Sequence, residues 1–201
     1  MTGPRSYAAN LQGPGYFRPA AHALTCLAAL LICGMAAGAK LEAQTPKPTE
    51  FEVEAAYLSN FGRFVEWPPT SASAAVQFNV CVLGTDPFGQ LLDNALKGET
   101  IRGVPMMAKR IAGLEESGNC RVLYIGSSTD GRLKVALAAL KTSSVLTVSD
   151  ASDFTRLGGM IQFVLEGNKV RFEINLAAAQ RASLSVSSEL LKVATAIRRG
   201  P

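Results

Sequence analysis

Histidine and tryptophan occur once each in the 201 residues, and charged side chains make up only 18% of the chain. The histidine, His22, sits in the leader described below, so the chain after it has no imidazole. That absence excludes Ser–His and Cys–His nucleophilic catalysis there, because both need the ring as base. It also removes the commonest metal ligand. With no C-x-x-C, a tetrahedral zinc site would need distant carboxylates to complete it, so no metal and no cofactor is expected. Basic runs are short: Lys109-Arg110 and Arg198-Arg199 are the only ones, and the net charge of +4 includes Arg5 and Arg18 of the leader. A nucleic-acid-binding domain carries a clustered basic face instead. No nucleic-acid partner is expected. Nor does a G-x-S-x-G, a P-loop or a G-x-G-x-x-G stand at a strand-to-helix turn.

What is present is a large apolar complement, 48% of residues, enough to bury one globular core. Part of it is a leader. Arg5 and Arg18 precede an uncharged apolar stretch over residues 20–39, and no acidic residue comes before Glu42. This is the layout of a secretory signal peptide, with Ala37 and Ala39 supplying the small side chains of an A-x-A cleavage site. The competing reading is a retained anchor, since about 20 apolar residues can span a bilayer; His22, Thr25 and Gly34 dilute that stretch. Thr25 and Ile32 precede Cys26 and Cys33 where a lipoprotein signal would place a small residue. The expected division is a signal peptide over 1–39, a flexible segment with two prolines over 40–49, and a folded domain over 50–199 in the periplasm. Cleavage leaves Cys81 and Cys120 as an isolated pair in an oxidising compartment, where a disulfide is the simplest outcome. Closing their 39-residue loop is worth about 4 kcal/mol in the chain-entropy account.

The pattern after residue 49 predicts alternating helices and strands. Thr49 caps a helix with Glu50, Glu52 and Glu54 in its first turns. At 100° per residue, Phe51, Ala55, Tyr57, Leu58, Phe61, Phe64 and Val65 share one arc, interrupted only by Glu54, while Glu52, Ser59, Asn60, Arg63 and Glu66 lie opposite. That helix is expected to run to Trp67, where Pro68-Pro69 stops it. Residues 76–82 alternate as a strand, with Val76, Phe78, Val80 and Val82 on one face and Cys81 on the other. Asp86-Pro87 reads as a helix start. Strands follow over 104–111, 122–125 and 145–148, with a helix over 131–140. Runs 161–166 and 169–174 about Gly167-Asn168 form a hairpin. Asn175 caps a helix to Ala182, and Ser187-Ser188 opens a last one to Arg198. The expected class is a single α/β domain with a mixed β-sheet flanked by helices.

Carboxylate chemistry has two candidate pairs, Asp150 with Asp153 and Glu66 with Asp86, against the chance proximity expected among 16 acidic residues. Asp86 could instead accept a phosphoryl group at a strand end, but an exported chain has no nucleotide donor, and capping is the simpler role. Gly158-Gly159 precedes a strand and reads as a turn or bulge.

Segments 55–68 (AAYLSNFGRFVEWP), 78–89 (FNVCVLGTDPFG), 120–128 (CRVLYIGSS) and 145–191 (from VLTVSDASDF to VSSELL) closely resemble the YfiR family of exported proteins, in order and over most of the chain after residue 49. The resemblance implies a periplasmic α/β protein without catalytic activity. The family's namesake represses an inner-membrane diguanylate cyclase through its periplasmic domain, lowering cyclic di-GMP and biofilm formation, and is itself sequestered by an outer-membrane lipoprotein; the resemblance implies the same role here. Cys81 and Cys120 match the family's paired cysteines. A second pair known in relatives near 145–153 is absent, and Arg121 stands where relatives often carry histidine. The end of the first helix, Arg63, Glu66 and Trp67, is the expected partner contact, since Arg and Trp are enriched at interface hot spots; core packing is the competing role for Trp67. The alternative function is a periplasmic small-molecule binding module, possible association with a transporter included, with loops 84–86 and 126–128 lining a cleft. The oligomeric state, a homodimer included, is left open.

Overall fold

The fold is described from a computed structural model, covering residues 47–69, 76–126 and 132–200. The leader and Ser127-Ser128 lie outside the described residues. Helix α1, Glu50–Phe61, begins with a reciprocal capping box: the Glu52 amide donates to Thr49 Oγ1 at 3.3 Å, and the Thr49 amide donates to Glu52 Oε2 at 2.6 Å. The helix ends at Phe61 and not at Trp67. Gly62 and Arg63 turn, and Val65–Glu66 becomes strand β1, paired antiparallel with Ser185–Val186. Helical periodicity and strand alternation both place Val65 inward, so the pattern alone does not separate the two, and pairing with a distant segment decides it. The two faces also depart from the arc: Ser59 is buried, donating its hydroxyl to the Ala56 carbonyl at 2.8 Å, while Phe51 is exposed.

Strand β2, Phe78–Leu83, is buried along its whole length, and Val76 ahead of it is exposed. Alternation is real, but both faces are covered, as in the centre of a parallel sheet. Val80 and Val82 pack into one core with α1, whereas Cys81 and Leu83 pack into a second. After β2 come α2 (Gln90–Leu96), β3 (Thr100–Ile101), β4 (Val104–Ile111), a 3₁₀ turn (Leu114–Asn119), β5 (Val122–Ile125), α3 (Leu133–Leu140) and β6 (Leu146–Ser149). The hairpin strands β7 (Ile161–Glu166) and β8 (Lys169–Asn175) follow, then α4 (Leu176–Arg181), β9 (Ser185–Val186), α5 (Ser188–Val193) and β10 (Ala196–Arg198). Gly167 and Asn168 both take positive φ, 54° and 59°, the requirement of a two-residue hairpin turn.

Two further expectations are corrected. Asp86 does not cap α2 directly; its Oδ1 accepts from the Phe88 and Gly89 amides at 2.9 and 3.2 Å, forming a turn that delivers the chain to a helix starting at Gln90. The last helix ends at Val193, because Thr195 turns to the sheet and donates its amide and hydroxyl to the Phe172 carbonyl. Residues 196–198 then add a parallel edge strand to β8.

The main sheet has the order β10-β8-β7-β6-β5-β2-β4-β3, and β4, β2, β5, β6 and β7 run parallel. It is mixed, with the antiparallel β7–β8 hairpin and β3 at the other edge. One core gathers α1, α2, α4 and α5 on one face, and the other gathers α3 on the opposite face. Phe61 fixes α1 to the hairpin, its ring 5.9 Å from Phe163 and 5.3 Å from Phe172.

Candidate functional site

Two places on this frame collect polar side chains. The first lies past the C-terminal ends of the parallel strands, where chain order reverses between β2 and β5 and open α/β sheets usually offer a crevice. Here the loops after β2 and β5 meet closely: a Cβ on Gly126 would overlap the Thr85 carbonyl oxygen. Asp86 is engaged by Arg110, whose Nε donates to it at 2.8 Å while Nη1 donates to Asp93 at 2.9 Å. Burial works to raise the Asp86 pKa, but the Arg110 guanidinium and the Phe88 and Gly89 amides outweigh it and hold the carboxyl below its ordinary value. Deeper in, Glu54 is buried, and its Oε2 has no hydrogen-bond partner among the described residues. Burial, with Asp150 and Glu50 adding like charge, pushes its pKa up to about 8. Tyr124, fully buried, is also pushed up by burial and by the carboxylates of Asp150 and Glu54.

The carboxylates of the two candidate pairs have other partners in the fold. Asp153 turns to Arg156 at 3.3 Å, whereas Asp150 faces Tyr124 and Glu54. Glu66 and Asp86 answer to different arginines, Arg102 and Arg110. Cys81 and Cys120 are joined by a disulfide with Cα atoms 5.8 Å apart, and both are buried in the second core.

The second place is the opposite end of β2, and it holds the three residues expected to contact a partner. Arg63 is bound to Glu99, and Glu66 lies 3.6 Å from Arg102. Both pairs are exposed, and such pairs contribute little to stability. Trp67 is half-buried, its ring edge-on to Phe78 at 5.4 Å. Its indole N–H is sealed from solvent and makes no hydrogen bond. Beside it opens a cavity of about 210 Å³ walled by Gly62, Val65, Trp67, Phe78 and Ile101, with Arg102 and Arg121 among its lining. Trp67 thus packs on Phe78 and also lines the cavity. A Cβ at Gly62 would overlap Ile101 Cδ1 and Phe78 Cζ, so a side chain there would force this wall to shift. Nothing in the linear pattern marks the cavity, because Ile101, Arg102 and Arg121 come from segments that only the sheet order brings to Trp67. Glu54 did leave a signal as the acid inside the apolar arc. Among the described residues no three His, Cys, Asp or Glu side chains group as metal ligands would.

A family model described as YfiR/HmsC-like matches residues 51–195. The chain belongs to the YfiR/HmsC-like family. The matched span includes the disulfide, the Arg63–Trp67 segment and the cavity beside it. Among solved structures, a conserved domain protein from Vibrio cholerae O1 biovar El Tor superposes with a TM-score of 0.49 at 9% identity, over 75% of this chain and 60% of that one. An ABC domain in complex with L-Trp from Streptococcus pneumoniae gives 0.47 at 10%, over 71% and 60%. The chain thus spans about 60% of the length of each of these chains. Among the described residues of this YfiR/HmsC-like protein, no helix is long and apolar enough to cross a membrane.

Proposed function

We propose that this YfiR/HmsC-like protein is an exported, non-enzymatic regulator that binds the periplasmic sensor domain of an inner-membrane diguanylate cyclase and holds it inactive, lowering cyclic di-GMP and biofilm formation. The observation that carries this reading is the family match over residues 51–195. The residue inventory supports it, since no histidine follows residue 22 to act as the base of a Ser–His or Cys–His pair. Repression then arises from tighter binding to the inactive arrangement of the cyclase than to the active one, the only way a ligand shifts such an equilibrium. An outer-membrane lipoprotein that sequesters the repressor relieves it.

The contact is placed on Arg63, Glu66 and Trp67. Arg63 and Glu66 are exposed in pairs that cost little to break, and both are free to exchange partners at an interface. The test is binding of the purified chain, lacking residues 1–39, to the periplasmic domain of a diguanylate cyclase from the same genome. Saturable binding that weakens about tenfold or more in Arg63→Ala, with an unchanged melting temperature, is the expected result. Failure to bind any such domain in both oxidised and reduced forms rejects the reading.

A further inference from the structure

We propose that the cavity beside Trp67 is a binding site for a carboxylate carried on a compact apolar stem. Its walls are Val65, Trp67, Phe78 and Ile101, an apolar and aromatic surface, and its lining includes two guanidinium groups and no acidic side chain. The two cations differ. Arg102 is exposed and partly answered by Glu66 at 3.6 Å. Arg121 is half-buried, and burial alone acts on its guanidinium, lowering its pKa with no carboxylate offsetting the loss of hydration. A cation taken partly out of water without a counter-charge gains most from an incoming anion, and the guanidinium fork matches the two oxygens of a carboxylate.

Size narrows the class. At about 210 Å³ the cavity falls below the roughly 300–1,000 Å³ of sites for drug-sized ligands. The occupant is therefore a small hydrophobic acid, or one apolar residue of a polypeptide bearing its own terminal carboxylate. Apolar walls favour the stem, and the arginines decide for the acid over its neutral analogue. This inference concerns the isolated chain and stands apart from the cyclase reading, so either can fail alone.

Trp67 is the only tryptophan of the chain, so its fluorescence reads the cavity directly. The oxidised, purified chain lacking residues 1–39 is titrated with 3-phenylpropionate and with the neutral 3-phenylpropanamide. In a second arm it is titrated with a short peptide ending in Phe, with a free or an amidated C-terminus. The expected result is a saturable change in Trp67 emission for at least one acid, about tenfold tighter than for its amide, as for a hydrogen-bonded charge. Binding confined to the peptide assigns the site to a polypeptide terminus, and binding of phenylpropionate assigns it to free acids. Arg121→Gln removes the preference for acid over amide, and Arg121→Lys keeps part of it. Absence of saturable binding in both arms overturns the proposal, as does equal affinity of wild-type protein for acid and amide.

Discussion

Glu54 sits in an environment at odds with its chemistry, a carboxyl closed inside an apolar face with Asp150 nearby and one oxygen unpaired. Its folded pKa of about 8 stands above the ordinary 4.5, so the folded chain holds a proton that the unfolded chain has already released. The linked stability is fully present below the unfolded value and is lost as the pH climbs to the folded one. Glu54→Gln removes that loss. The expected outcome is a melting temperature of Glu54→Gln that gains on wild type between about pH 5 and pH 8.5; parallel profiles would show that Glu54 ionises normally in the fold. Gly62 makes the opposite case, a backbone of ordinary helical angles where the side chain is limited by neighbours and not by strain. Gly62→Ala drives a methyl group into Ile101 and Phe78 and is expected to cost about 1–3 kcal/mol in denaturant titration, as overpacking does. It should also shift Trp67 emission. A neutral or stabilising effect would mean that the wall yields.

At the scale of elements, what the sequence made legible was local. Strands 104–111, 122–125 and 161–166 and the Gly167-Asn168 turn follow from alternation and from a turn that demands positive φ, and they stand where the pattern places them. Two of the failures share a cause. Glu66 and Ile197 sit where local signals favour or permit helix, but each is claimed by a distant strand: Ser185 across the β1–β9 ladder and Ile174 in the parallel ladder with β8. Asp86 fails locally, its Oδ1 closing a turn on the Phe88 and Gly89 amides ahead of the helix. The disulfide is the element-level restraint on β2, tying Cys81 in the buried strand to the end of the 3₁₀ turn. It is buried in the second core and so shielded from reductant, since exposed disulfides are the readily reduced ones. Cys81→Ser is expected to cost about 2–5 kcal/mol. Thiol titration in denaturant of the chain lacking residues 1–39 should then find one thiol in that variant and none in unreduced wild type. Two titratable thiols in the unreduced wild type would refute the pairing.

For the whole molecule, the candidate site shows how little of function a linear reading reaches. Arg63, Glu66 and Trp67 could be singled out by residue type, but the cavity joining Trp67 to Arg102 and Arg121 depends on strand order, which places the starts of β2, β4 and β5 side by side. The expected export signal is a property of residues outside the described fold. Intact mass of the protein recovered from the periplasm should correspond to a chain beginning at Lys40, and recovery of residues 1–39 on the protein in a membrane fraction would contradict cleavage after Ala39.

The central claim is repression of a membrane diguanylate cyclase, and cellular cyclic di-GMP reads it most directly. Deleting the gene should raise cyclic di-GMP and surface attachment. Wild-type protein supplied in the periplasm should reverse both, while Arg63→Ala protein, present at equal abundance and with its disulfide formed, should restore the low level only in part. A cyclic di-GMP level that stays unchanged on deletion, under oxidising and reducing conditions alike, would contradict the account.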